Sequence, residues 1–327
     1  MARRASSSKL VVYAAMTGNL LVALTKFAAA WWTGSSAMLS EAIHSLVDTA
    51  NQLLLLYGMH RGAKPADDLH PLGYGREIYF WSFIVALLMF TIGAGVTLLE
   101  GISHIRNPDA IVDPHVNYIV LGLSALFEGA TLLFALREFR SVEGRGKFFE
   151  TVRRSKDPPS FIVLFEDSAA LIGLAIAFIG TFLADRLAMP VLDGVASIGI
   201  SLLLAVTAMA LARESKELLI GEPANPQVRD SIVAIACAQP NIERANVIFT
   251  VHLSPHEIVV ALSVEFADKL KTTDIEETVL ALEHAIHDKH ADIIAVFVKP
   301  QTAHTFKSRR QARRSRASKS PAKMPAA

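Results

Sequence analysis

The chain has 327 residues, 52% of them hydrophobic and 19% charged, with a formal net charge of +1 and a positive mean hydropathy. That balance excludes an ordinary water-soluble globular protein, and nothing global suggests nucleic acid. The single cysteine, Cys237, excludes an internal disulfide and a cysteine-built zinc site, so any metal has to be held by His and carboxylates.

The first segment, 9–32, has a basic start and an apolar run like a signal peptide, yet it continues to Trp31 and Trp32. That is the length of a full span, and the tryptophans suit an interfacial belt. Five more segments, 37–58, 79–101, 115–136, 161–183 and 190–212, are also apolar and long enough to cross about 30 Å of hydrocarbon. Six transmembrane helices are therefore expected. Basic residues gather in the arm 1–8 (Arg3, Arg4), after the second segment (Arg61, Lys64, Arg76) and after the fourth (Arg137 to Lys156). The other connections carry only Arg106 and Arg186, so both termini are expected on the cytoplasmic side.

From about residue 214 to 303 the pattern is that of a soluble domain. A helix is expected over 225–238, strands over 245–253 and 258–267 around a turn at Ser254, Pro255 and His256, a helix over 274–289 and a strand over 292–299. Asp274 reads as N-cap of the second helix, with Glu277 three residues on. The order αββαβ gives a ferredoxin-like cytoplasmic α+β domain. The basic stretch KSRRQARRSRASKSPAK, within 304–327, reads as a disordered tail.

Ionisable groups at bilayer depth are costly and mark function. SEAIHSLVDTANQ (40–52) puts His44 and Asp48 four residues apart on one helical face, with Glu41 a turn before and Asn51 and Gln52 a turn after. The fifth segment offers Glu166 and Asp167, without a basic partner in that helix. A neutral His44 with ionised Asp48 and Asp167 supplies two negative charges, which match a dehydrated divalent cation. Structural polar packing between helices is the plain alternative. Asn19 is either a packing group or a neighbour of the ligands, and Glu41 either a mouth residue or a ligand. Asp193 is expected to cap the sixth helix, and Lys26 to snorkel to the outer interface. His252, His256, His284, His287 and His290 read as solvated histidines.

TGSSAMLSEAIHSLVDTANQ (33–52), HPLGYGRE (70–77) and FEDSAALIG (165–173) together resemble the cation diffusion facilitator family of metal/proton antiporters. Within it they look most like the branch of the mitochondrial zinc transporter 9. The resemblance implies a homodimer whose transport site lies between the second and fifth helices, with His44, Asp48 and Asp167 as metal ligands. Typical zinc members carry a His where this chain has Val163, so a further donor is expected from water, Glu166, Asn19 or Glu41. The implied activity is export of a divalent metal, zinc first, with Mn2+, Fe2+, Co2+ or Ni2+ also suited to oxygen-rich ligation, and with H+ as counter-ion. A short N-terminal arm favours a bacterial inner membrane. A non-transporting metal sensor or scaffold, and more remotely a membrane-embedded metalloenzyme, share the same residues.

Overall fold

The computed structural model describes residues 2–33, 36–107, 114–143, 155–309 and 311, with side chains described at all of these except 2–7, 30, 33, 36–41, 43, 44, 114–117, 142 and 143. It divides into two units after Ile220.

The first unit is helical: α1 (Ala2–Thr33), α2 (Ser36–Gly62), α3 (Glu77–Leu88), a π-helical turn (Met89–Ala94), α4 (Gly95–Arg106), α5 (Pro114–Glu143), α6 (Pro158–Leu187) and α7 (Val191–Ile220). The third expected span is thus one rod interrupted by the π turn, where the Ser201 hydroxyl of α7 donates to the Ala94 carbonyl at 2.8 Å. Such wide turns concentrate at functional sites. Among the described residues five stretches are long and apolar enough to cross a membrane: Ser8–Ala29, Glu77–Arg106, Tyr118–Ser141, Pro158–Leu187 and Val191–Ile220. The other expected span, 37–58, lies in α2, whose polar stripe dilutes its apolar character. The chain is a multi-pass membrane protein.

Packing closes the helices into a ring. α1 packs on α2 and α5, α6 on α5 and α7, and the α3–α4 rod on α2 and α7. One end of the ring is filled by a buried apolar core that includes Val12, Leu55, Tyr79, Phe139, Phe161 and Leu211. These lie near the start of α1, α3 and α6 and the end of α2, α5 and α7. The α1 helix starts at Ala2, so most of the expected arm is helical; Ser8 is buried, and its hydroxyl donates to Asp157 at the start of α6. Small residues set the close approaches. A Cβ on Gly194 would stand 2.9 Å from the Gly101 carbonyl, which draws α7 against α4.

The second unit comprises α8 (Pro226–Cys237), β1 (Ile242–Ser254), β2 (Glu257–Phe266), α9 (Thr272–Lys289) and β3 (Ile293–Pro300), in the expected αββαβ order. Its sheet has the order β1-β2-β3, antiparallel between β1 and β2 and parallel between β2 and β3. Pro255 and His256 form the turn, with Val251 opposite Val259 in the hairpin. Ile232, Ala236, Leu262, Leu282, Ile286 and Ile293 make the core between helices and sheet. One expectation is corrected. The helix starts at Thr272 with Lys271 as N-cap, and Asp274 is the third helical residue, accepting the Lys271 N–H at 2.8 Å. The carboxylate therefore serves the far half of the capping box. The basic tail, at 310 and 312–327, lies outside the described residues.

Candidate metal site

Every element of the ring, α1, α2, the α3–α4 rod, α5, α6 and α7, lines one cavity of about 550 Å³. Its walls run from buried Glu166 to exposed Glu100 and Asn107, so it reaches the surface at the end opposite the apolar core. The spacing of α2 explains its contribution. Ser45, Asp48 and Asn51 recur every three residues and share the face that borders the cavity. Glu41 and His44 occupy positions of the same helix, but their side chains lie outside the described residues.

The α6 helix opens after Asp157 with two prolines, whose fixed φ suits a first turn, and continues through a fully buried run from Phe161 to Val163. Val163, where a ligand was expected, belongs to the apolar core that fills the closed end. One turn on, the two carboxylates part. Glu166 lines the cavity, and its Oε2 accepts the Gln52 amide N–H at 3.0 Å. Asp167 turns toward α5, where the Thr131 side chain lies against it. Both are buried, and Glu166 Oε1 and Asp167 Oδ2 take no hydrogen bond among the described residues. Buried carboxylate oxygens of this kind call for a cation or a proton. Asn19 is buried beside Gly18, at the approach of α1 to Thr131.

The structure adds residues that the pattern reading missed. Glu128 of α5 is buried and lines the cavity with Asp48 and Glu166. Its signal, a carboxylate inside the apolar run SALFEGATLLFAL, was the same one that marked α2 and α6. Lys26 does not snorkel outward. It is buried, lines the cavity, and donates to Ser45 Oγ at 3.0 Å, because the ring offers its ammonium a hydroxyl. Asp193 is likewise no simple cap, since its Oδ1 accepts the Thr181 hydroxyl at 3.1 Å and so ties α7 to α6. Among the described side chains no three His, Cys, Asp or Glu groups stand together as a metal would hold them.

The HPLGYGRE turn is a tied loop. The Asp67 carboxylate accepts the Tyr74 hydroxyl and the N–H groups of Leu69 and His70, and these bonds, Tyr74 first, hold it below the ordinary carboxylate range. Gly73 supplies the φ of +79° that the turn requires. Arg61 pairs with Glu77 at 3.0 Å and lies over the Tyr74 ring. In the second unit His284 and His287 are exposed as expected. His252 is instead buried, with Nδ1 at 3.2 Å from the Ser254 carbonyl, and His290 Nε2 lies 2.8 Å from Ser231 Oγ. His252 thus serves packing, while His290 stays part-exposed with a hydrogen-bonding hydroxyl beside it.

A family model described as the cation efflux transmembrane domain matches residues 12–220. The chain is 32% identical over 264 residues to the mitochondrial proton-coupled zinc antiporter SLC30A9 of Mus musculus, covering 80% of this chain and 47% of that protein. It is 35% identical over 225 residues to metal tolerance protein C4 of Arabidopsis thaliana, covering 67% of this chain and 49% of the relative. The cation-efflux pump FieF of Citrobacter koseri is 24% identical over 280 residues, 85% of this chain and 87% of the pump. The chain thus spans about half the length of the mouse and Arabidopsis proteins.

Proposed function

We propose that this chain, which belongs to the cation efflux family of cation diffusion facilitators, exports a divalent metal ion, zinc first, in exchange for protons. The observation that carries the reading is the cavity that every element of the ring lines and that Asp48, Glu128 and Glu166 make acidic at depth. Carboxylates at such depth are too costly to serve packing alone. The names of the relatives, a proton-coupled zinc antiporter and a cation-efflux pump, support the same cargo and coupling.

The cargo is held by His44 and Asp48 of α2 with the α6 carboxylates, Asp167 by family pattern and Glu166 by its place on the cavity. Asn19 and Glu41 complete this reading as candidate further donors. Metal ligation needs deprotonated ligands, so loading releases protons and reprotonation from the far side expels the ion. A ring packed shut at one end and hollow at the other is suited to alternating access, with the Phe161 to Leu164 core as the part that must open in the second state. The oxygen-rich donor set leaves Mn2+, Fe2+, Co2+ and Ni2+ as competing substrates. The setting we propose is a homodimer in a bacterial inner membrane, with both termini cytoplasmic; the basic loops support that orientation of the termini.

The test is zinc flux in liposomes holding the full chain, with and without an imposed pH gradient. Flux that responds to the gradient and is lost in Asp48→Ala and Asp167→Ala is the expected result. Wild-type flux in both variants overturns the assignment.

A further inference from the structure

Among the described residues that line the cavity, Lys26 is the only lysine or arginine. It is 5% exposed, and Ser45, which accepts its ammonium at 3.0 Å, is 4% exposed. A buried ammonium is costly unless negative charge stands near it. That charge is available. Ser45 precedes Asp48 by three residues on the same side of α2, about 4.5 Å along the helix axis. Glu128 and Glu166 line the same cavity from α5 and α6.

Charge balance gives this lysine a role in the cycle. Asp48, Glu128, Glu166 and Asp167 bring up to four negative charges to the ring, and a dication offsets two of them. A carrier must bind its cargo well enough to load and loosely enough to release it. We propose, resting on the export reading above, that Lys26 is the resident counter-cation of this cavity. Its ammonium rests on Ser45 and beside the carboxylates when cargo is absent. Arriving metal has to displace it, and its charge keeps the loaded ion from being held too tightly. The four-carbon stem lets the ammonium shift without moving α1. Lys26 is thus a positioning residue for charge and no ligand of the metal.

The test uses full-length protein, zinc binding by calorimetry and zinc flux in liposomes. Lys26→Met keeps the stem and removes the charge. It is expected to bind zinc about tenfold more tightly, the effect of one nearby charge in a partly screened interior, and to export more slowly at saturating zinc. Lys26→Arg is expected to keep the wild-type values. Wild-type affinity in a folded Lys26→Met protein, or weaker binding, overturns the proposal.

If Lys26→Met does not fold, Ser45→Ala carries the test. It removes the hydroxyl that seats the ammonium when cargo is absent, so metal displaces it more readily and zinc binds several-fold more tightly; unchanged or weaker binding overturns the proposal. The two readings fail differently. Wild-type protein that moves no zinc overturns export and this role with it. Zinc export together with an unaltered Lys26→Met overturns only the role of Lys26.

Discussion

Helices α2 and α6 both bury polar side chains inside the ring, with different spacing. On α2 the polar positions recur at three- and four-residue steps, so Ser45, Asp48 and Asn51 form one stripe along the cavity. On α6 the two carboxylates are consecutive, about 100° apart around the helix. They face different neighbours, Glu166 the cavity and Gln52, and Asp167 the Thr131 side of α5. A stripe makes one surface whatever the rotation of its helix. An adjacent pair makes two, and the packing of the preceding turn decides which one meets the partner.

The largest expected effect tests the stripe. Asp48→Ala is expected to reduce zinc flux in liposomes about a hundredfold, at or beyond what loss of a ligand-supporting group costs. A fall of less than about threefold would make α2 a structural helix, since the loss of a ligand-supporting group costs at least about tenfold. The pair is tested next. Glu166→Gln keeps an oxygen for the Gln52 N–H and removes the charge, so zinc affinity is expected to fall about tenfold with little change in melting temperature. Asp167→Asn is expected to reduce flux more than affinity, because in this conformation its side chain faces Thr131. Equal loss of affinity in both variants would erase the distinction between the two faces.

Val163→His sharpens the same contrast by placing an imidazole where the family pattern has one. Val163 is fully buried in the apolar core of the closed end, so an imidazole there is expected to cost about 1–3 kcal/mol. The melting temperature should drop and zinc affinity stay unchanged. Tighter zinc binding with an unchanged melt would mean that this end of the ring opens readily to metal.

The reach of sequence reasoning follows from the same physics. Long apolar runs located the membrane helices, and period-two strands around Pro255 and His256 located the second unit, because burial dictates both patterns locally. The α2 stripe was legible since its spacing fixes a face. Three features were not, and each depends on a distant partner. The π turn at Met89–Ala94 is matched by Ser201 on α7. The inward course of Lys26 depends on Ser45, and the parting of Glu166 from Asp167 on α5 and α2. Glu128 is a different kind of omission, because a carboxylate within an apolar span carries the same signal as Asp48.

The smallest expected effect probes the surface that Asp167 faces. A Cβ on Gly18 would clash with Thr131 Cγ2. The Thr131 side chain is not free to yield, since its hydroxyl donates to the Glu128 carbonyl at 2.9 Å and the side chain lies against Asp167. Either α1 and α5 separate or Thr131 turns, so Gly18→Ala is expected to cost about 1 kcal/mol of stability. If Thr131 turns, the support of Asp167 moves with it, and flux should fall in the manner of Asp167→Asn. Gly122→Ala is the matched control. It lies on α5 with nothing within 4 Å of the added carbon, and should leave flux unchanged while favouring the helix slightly. A full-strength Gly18→Ala protein would show that α1 can back away from α5 at little cost, and that the Asp167 face is held by α5 alone.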